Sequence, residues 1–210
     1  MNMIVDGRKI TEEIIAGLSS CLRNHGQALR LALVAVGGDE VTMGYVRIKE
    51  KLAARLGIEL IIQDYEVGIS QTDLEGVLKK LGDDRSIQGV VLQLPLPPHL
   101  DLDDLIRLLP AEKDVDALGG EAKVDPPVVA ALKEICQRYD IDLAGKKAVV
   151  VGAGRLVGRP AALWLAGEKA EVSVLDKGDN CPEVKLKEAD IIVSGAGSPG
   201  FIKPASIKNG

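Results

Sequence analysis

Aromatic side chains are nearly missing from this chain of 210 residues, which has one Trp, one Phe and three Tyr. A core with so few rings has to be aliphatic, which suits sheets covered by helices. Histidine is almost as scarce, with only His25 and His99. The three cysteines, Cys21, Cys136 and Cys181, lie far apart. That supply is too thin and too scattered for a zinc knuckle, so no metal is expected, and serine–histidine chemistry is equally poorly provided for. An odd number of separated cysteines points to reduced thiols and a cytoplasmic location. A basic cluster is also lacking and the net charge is −5, so nucleic acid is not an expected partner. No apolar run reaches the roughly 20 residues needed to cross a membrane. The opening Met1–Asp6 leads straight into a charged helix and does not resemble a signal peptide.

What is present is an alternation of strand-like and helix-like segments. A helix is expected over Thr11–Asn24 with Thr11 as its N-cap, then a strand over Leu29–Val36. Gly37-Gly38 leads into an amphipathic helix, Val41–Leu56, followed by a strand over Ile58–Tyr65. A helix with an acidic first turn starts at Ser70, and a third strand, Gln88–Gln93, stops at the proline-rich Leu94-Pro95-Leu96-Pro97-Pro98. A helix over Leu102–Leu109 and a hinge over Ala117–Pro127 close this half. The rhythm then repeats, with a helix over Val128–Tyr139, strands at Lys146–Val151, Glu171–Leu175 and Asp190–Ser194, and a helix over Val157–Ala166. Such βαβ runs imply parallel sheets with right-handed crossovers. The predicted fold class is α/β: two α/β domains, residues 1–120 and 121–210, flanking a cleft. The second reads as a Rossmann-type unit, incomplete at the C-terminus because three strands make half of a six-stranded dinucleotide fold. Its last strand would leave an open edge unless something covers it.

Three constellations carry chemistry. In the Val41–Leu56 helix, Tyr45, Ile48, Leu52, Ala53 and Leu56 define one apolar face, and Lys49 projects into it one turn beyond Tyr45. An ammonium there has to be paired, deprotonated or facing a cleft, unless it lies at the stripe's margin with its head in water. Gln93 ends a parallel strand, where ligands bind in such sheets. Secondly, Gly152-Ala153-Gly154-Arg155-Leu-Val157-Gly158 joins a strand to a helix. Backbone N–H groups of such a turn can face a pyrophosphate. Asp176, just past the next strand, can accept a ribose 2′-OH and so favours NAD over NADP. Arg155, Arg159 and Lys177 are candidates to hold a 2′-phosphate instead. Thirdly, Lys113-Asp114-Val115-Asp116 puts paired acids in a loop near the inferred cleft, where one of them can grip ligand N–H groups.

Tyr45-Val-Arg-Ile-Lys49, Gly89-Val-Val-Leu-Gln93-Leu-Pro-Leu-Pro97 and Lys113-Asp-Val-Asp116 resemble hallmark segments of the bifunctional methylenetetrahydrofolate dehydrogenase/methenyltetrahydrofolate cyclohydrolase family. Val150-Val-Gly152, Val157-Gly158-Arg-Pro160, and Ala189–Ser194 followed by Gly197-Ser-Pro-Gly-Phe201-Ile resemble its dinucleotide-domain segments. The resemblance implies oxidation of 5,10-methylene-tetrahydrofolate with NAD or NADP and hydrolysis of the methenyl product to the 10-formyl form. A homologue that keeps the cleft without catalysis is the alternative. The implied catalytic residues are Lys49, Gln93 and Tyr45, and the implied folate contacts are Tyr45, Gln93, Leu94, Pro95 and Asp116. The implied cofactor contacts are Gly152, Ala153, Gly154, Arg155, Val157, Gly158, Asp176, Gly195, Ala196 and Gly197. Residues 1–120 would then be the catalytic, folate-binding domain and residues 121–210 the NAD(P)-binding one, in a cytoplasmic homodimer without nucleic-acid or membrane partners.

The sequence also departs from that family. Pro126-Pro127-Val128-Val129 stands where it has a Pro-Cys-Thr-Pro-like turn, Ala117 where it has Gly, and Asp176 where it commonly has His. The family also continues beyond the position of Gly210, so a fragment, a natural short form and an edge covered by a partner subunit all fit.

Overall fold

Strand β1, Arg30–Val36, is apolar at almost every position, as a strand covered on both faces must be. In this computed structural model, which describes residues 4–26, 28–176, 179, 182–198 and 200–208, the chain divides into two compact units, Met1–Val124 and Asp125–Gly210.

In the first unit β1 lies between β2, Glu59–Tyr65, and β3, Gly89–Leu92, all parallel. Alternation along β1 decides what covers each face. Ala32, Val34 and Val36 join Val90 and Leu92 beneath helix α3, Gln71–Asp83, which contributes Leu74, Leu78 and Leu81. Leu33, Ala35 and Val91 face the other way and pack on Val46 of helix α2, Glu40–Leu56. Ser70 caps α3, as its sequence indicates, by accepting from the Asp73 N–H at 3.1 Å. Helix α4 is shorter than its pattern suggests. It covers Leu102–Ile106, and its last turn tightens into i→i+3 bonds at Leu108 and Leu109 before Pro110 stops it.

Helix α1, Gly7–His25, begins four residues before the expected start. The cap is Asp6, whose Oδ1 accepts from the Arg8 and Lys9 N–H groups at 3.1 Å each. Thr11 lies inside the helix, donating from its hydroxyl to the Gly7 carbonyl at 2.8 Å. A carboxylate that satisfies two free N–H groups beats a threonine that can return to the preceding turn.

The second unit repeats the scheme. Strand β4, Lys147–Val151, lies between β5, Glu171–Leu175, and β6, Ile191–Ser194, again all parallel. Ala148 and Val150 pack with Leu143 and Leu165 under helices α5, Pro127–Arg138, and α6, Gly158–Gly167. Val149 and Val151 pack on the other face with Leu186 of α7, Pro182–Glu188, a helix without a counterpart in the sequence reading. In both units the first strand is central and the next two flank it on opposite sides. Each sheet therefore has a switch point between its first and third strands, and ligands bind at the carboxyl ends there. No described helix is long and apolar enough to cross a membrane.

Candidate active site

Helix α2 starts where Asp39 Oδ1 accepts from the Thr42 N–H at 2.7 Å. That contact, chiefly the backbone hydrogen bond, holds the Asp39 carboxyl below the usual carboxylate range. The helix does not bury the expected stripe. Its inward residues are Thr42, Val46 and Ala53, while Tyr45, Ile48 and Leu52 are exposed at 58, 63 and 37 % within the single chain. Lys49 falls on the inward line, at the spacing of Thr42, Val46 and Ala53. Its side chain is neither buried nor without partners: it is 37 % exposed, with Nζ 3.1 Å from Gln93 Oε1 and 3.5 Å from Asp116 Oδ2.

Gln93 is held from behind. Its backbone N–H donates to Val34 at 2.8 Å, prolonging the β3 ladder by one bond, and its Nε2 donates to the Leu94 carbonyl at 2.8 Å. That second bond turns Oε1 toward Lys49. The Leu94–Pro95 peptide is cis, with Leu94 half-buried against the core and Pro95 exposed.

The Lys113–Asp116 segment divides its labour residue by residue. Lys113 Nζ donates to the carbonyls of Leu81, Gly82 and Asp84 at 3.2, 2.6 and 2.7 Å, capping the end of α3. The Lys113 carbonyl accepts from Val90 N–H at 2.7 Å, which bridges the segment to β3. Gly89 makes the close approach possible, since a Cβ there would stand 2.5 Å from Val115 Cγ1. Asp114 is buried, and its two oxygens accept from the N–H groups of Leu118 and Gly119. Asp116 is the acid of the pair that points at Lys49. Residue types alone left the two acids undistinguished, the family resemblance named Asp116, and the structural work of Lys113 and Asp114 escaped both.

In the second unit, the turn after β4 brings the chosen glycines together. A Cβ on Gly158 would overlap the Gly152 carbonyl at 1.7 Å, so the start of α6 can lie against the end of β4 only if residue 158 has no side chain. Gly195 and Ala196, past the end of β6, meet Gly152 from the other side, with the Gly195 carbonyl 3.1 Å from where a Gly152 Cβ would be. Val157 packs on Gly195. Ala153, Gly154 and Arg155 are exposed at the turn, and a Cβ on Gly154 would meet nothing within 4 Å. Gly197 follows in a left-handed conformation, φ 63°. Asp176 is exposed at the end of β5, its N–H bonded to Asp179 Oδ2 at 2.7 Å. Lys177 lies outside the described residues. A glycine turn at a helix start, beside a switch point and an acidic strand end, fits a dinucleotide pyrophosphate and ribose. By contrast, a polar depression of about 450 Å³ lined by Lys147, Glu171, Glu188 and Asp190 lies at the opposite, amino end of this sheet.

The tetrahydrofolate dehydrogenase/cyclohydrolase catalytic-domain model matches residues 5–116, and the NAD(P)-binding-domain model of the same name matches residues 126–210. The chain belongs to the tetrahydrofolate dehydrogenase/cyclohydrolase family. The bifunctional protein FolD of Bdellovibrio bacteriovorus is 35% identical over 222 residues, covering 99% of this chain and 77% of that protein. The N5,N10-methylenetetrahydrofolate dehydrogenase-cyclohydrolase of Trypanosoma brucei was solved with NADP and an inhibitor. It superposes with a TM-score of 0.93 at 29% identity, covering 99% of this chain and 76% of that one. The bifunctional enzyme of Campylobacter jejuni gives 0.92 at 28%, covering 98% and 77%. The family's NAD(P)-binding match makes the second three-stranded unit a Rossmann-type domain.

Proposed function

We propose that this family member oxidises 5,10-methylene-tetrahydrofolate with NAD(P) and hydrolyses the methenyl product to 10-formyl-tetrahydrofolate. The observation that carries the proposal is the convergence of Lys49, Gln93 and Asp116 at the carboxyl end of the first sheet. Lys49 has three N–H donors, of which Gln93 and Asp116 can engage two, leaving one for substrate. Its Nζ is the group that moves a proton when water adds to the electrophilic methenyl carbon. Asp116 accepts hydrogen bonds from the pterin, and the exposed ring of Tyr45 offers an apolar face on which the folate stacks. Leu94 and Pro95 contribute the wall beside Gln93. The dinucleotide, when bound, accepts the hydride; the chain's part is to orient it through Gly152–Gly158 and Gly195–Gly197.

Asp176 supports NAD as the preferred cofactor, since a carboxylate favours a free 2′-OH over a 2′-phosphate. A cytoplasmic homodimer is the associated expectation. Methylene-tetrahydrofolate mixed with NAD or NADP is expected to yield reduced nicotinamide, faster with NAD. Lys49→Ala is expected to lower turnover about 10²- to 10⁴-fold. Dinucleotide binding without turnover would favour the non-catalytic homologue, and equal or higher rates with NADP would overturn the Asp176 argument. Light scattering tests the dimer.

A further inference from the structure

Asp114 touches none of the groups assigned to the reaction, yet its environment is the most constrained of the loop. It is 4 % exposed, with Oδ1 accepting from the Leu118 N–H at 3.1 Å and Oδ2 from the Gly119 N–H at 2.7 Å. Its carbonyl accepts from the Ala117 N–H at 3.4 Å. These bonds close residues 114–119 into a ring that contains Asp116. The ring holds Ala117 at φ 51°, a left-handed conformation that an alanine does not adopt without compensation. Upstream the ring is fixed by the Lys113 ammonium on the end of α3 and by the Lys113 carbonyl on β3. Burying a carboxylate is justified only where its hydrogen bonds are needed, and here all of them go to the turn that aims Asp116.

We infer that Asp114 is a positioning residue: by binding the main chain of Leu118 and Gly119 it holds Asp116 against Lys49. The consequence for folate binding rests on the function proposed above, whereas the effect on Lys49 does not. Asp114→Asn keeps the shape but sets an amide N–H₂ against one of the two backbone donors, so the ring opens and Asp116 leaves the lysine.

The test is a double-mutant cycle of Asp114→Asn and Asp116→Asn, read by the rate at which acetic anhydride modifies Lys49, followed by peptide mass spectrometry. Each single variant is expected to raise that rate by the same factor, and the double variant to match Asp116→Asn alone. A side chain that serves folding only would leave Lys49 labelling at the wild-type rate in the folded protein, and that result overturns the inference. So does a further increase when Asp114→Asn is added to Asp116→Asn. Should Asp114→Asn fail to fold, the same cycle is run on an Ala117→Gly background, where the left-handed turn no longer needs compensation. Tetrahydrofolate titrated into the same four proteins is expected to bind about tenfold more weakly to every variant, again without additivity. If the wild-type protein binds no tetrahydrofolate, the functional proposal fails, and Lys49 labelling still decides the role of Asp114.

Discussion

Lys49 and Asp116 form a half-exposed ion pair at 3.5 Å, with side chains 37 and 23 % exposed. Pairs of that kind contribute on the order of 1 kcal/mol or less to stability, because water and salt screen them. Lys49→Ala is therefore expected to shift the urea midpoint little while removing the reaction, a separation that a buried structural ion pair would not show. Ala117 behaves in the opposite way. It holds φ 51°, a left-handed conformation, so Ala117→Gly removes a strain of about 1–2 kcal/mol. Part of that gain, about 0.4–1 kcal/mol, is offset by the freer unfolded glycine chain. A net stabilisation of roughly 0–1.6 kcal/mol is expected by equilibrium denaturation. Lys49, Gln93 and Asp116 were legible as residue types in recognisable segments. Asp116 was singled out only through the family resemblance, because by residue type two carboxylates two residues apart look alike until the chain around them folds.

At the scale of elements, α2 shows where pattern reading fails. The expected apolar stripe is Tyr45, Ile48, Leu52, Ala53 and Leu56 with Lys49 set into it, whereas Thr42, Val46, Lys49 and Ala53 form a second line at the same helical spacing. Apolar periodicity chooses the first line. The sheet takes the second, because smaller side chains there let α2 settle onto Leu33, Ala35 and Val91. Hydrophobicity reports that a helix is amphipathic without fixing which neighbour claims which side. Lys49 lies toward the sheet in either case, because the expected stripe surrounds it and the observed inward line includes its spacing. The helix depends on its cap: Asp39→Ala is expected to destabilise the protein by about 1 kcal/mol, measured by urea unfolding. The start of α5 lacks such a cap, for Pro126 offers no side-chain acceptor.

For the molecule as a whole, several exposed carboxylates set the response to acid. Glu12 is held below its ordinary range by a hydrogen bond from Arg55, Asp39 by the Thr42 N–H, Asp84 by the Ser86 hydroxyl and Asp190 by the Lys208 ammonium. Each has a folded-state value below its unfolded one, so the unfolded chain binds protons first as pH falls. Their stabilisation is complete above about pH 5 and is lost as pH drops through the depressed values, below about pH 4. Urea midpoints are accordingly expected to be level from pH 7 to 5 and to fall below pH 4. The α/β class, the parallel order of strands and the positions of Lys49, Gln93, Gly152 and Gly158 were written in the sequence. Strand alternation, glycine spacing and strand ends are local properties, fixed by neighbours a few residues away. The tertiary structure alone decided which line of α2 turns inward and brought Asp116, 67 residues further along the chain, to Lys49. Each of those outcomes depends on which groups from distant parts of the chain compete for the same hydrogen bonds and the same space.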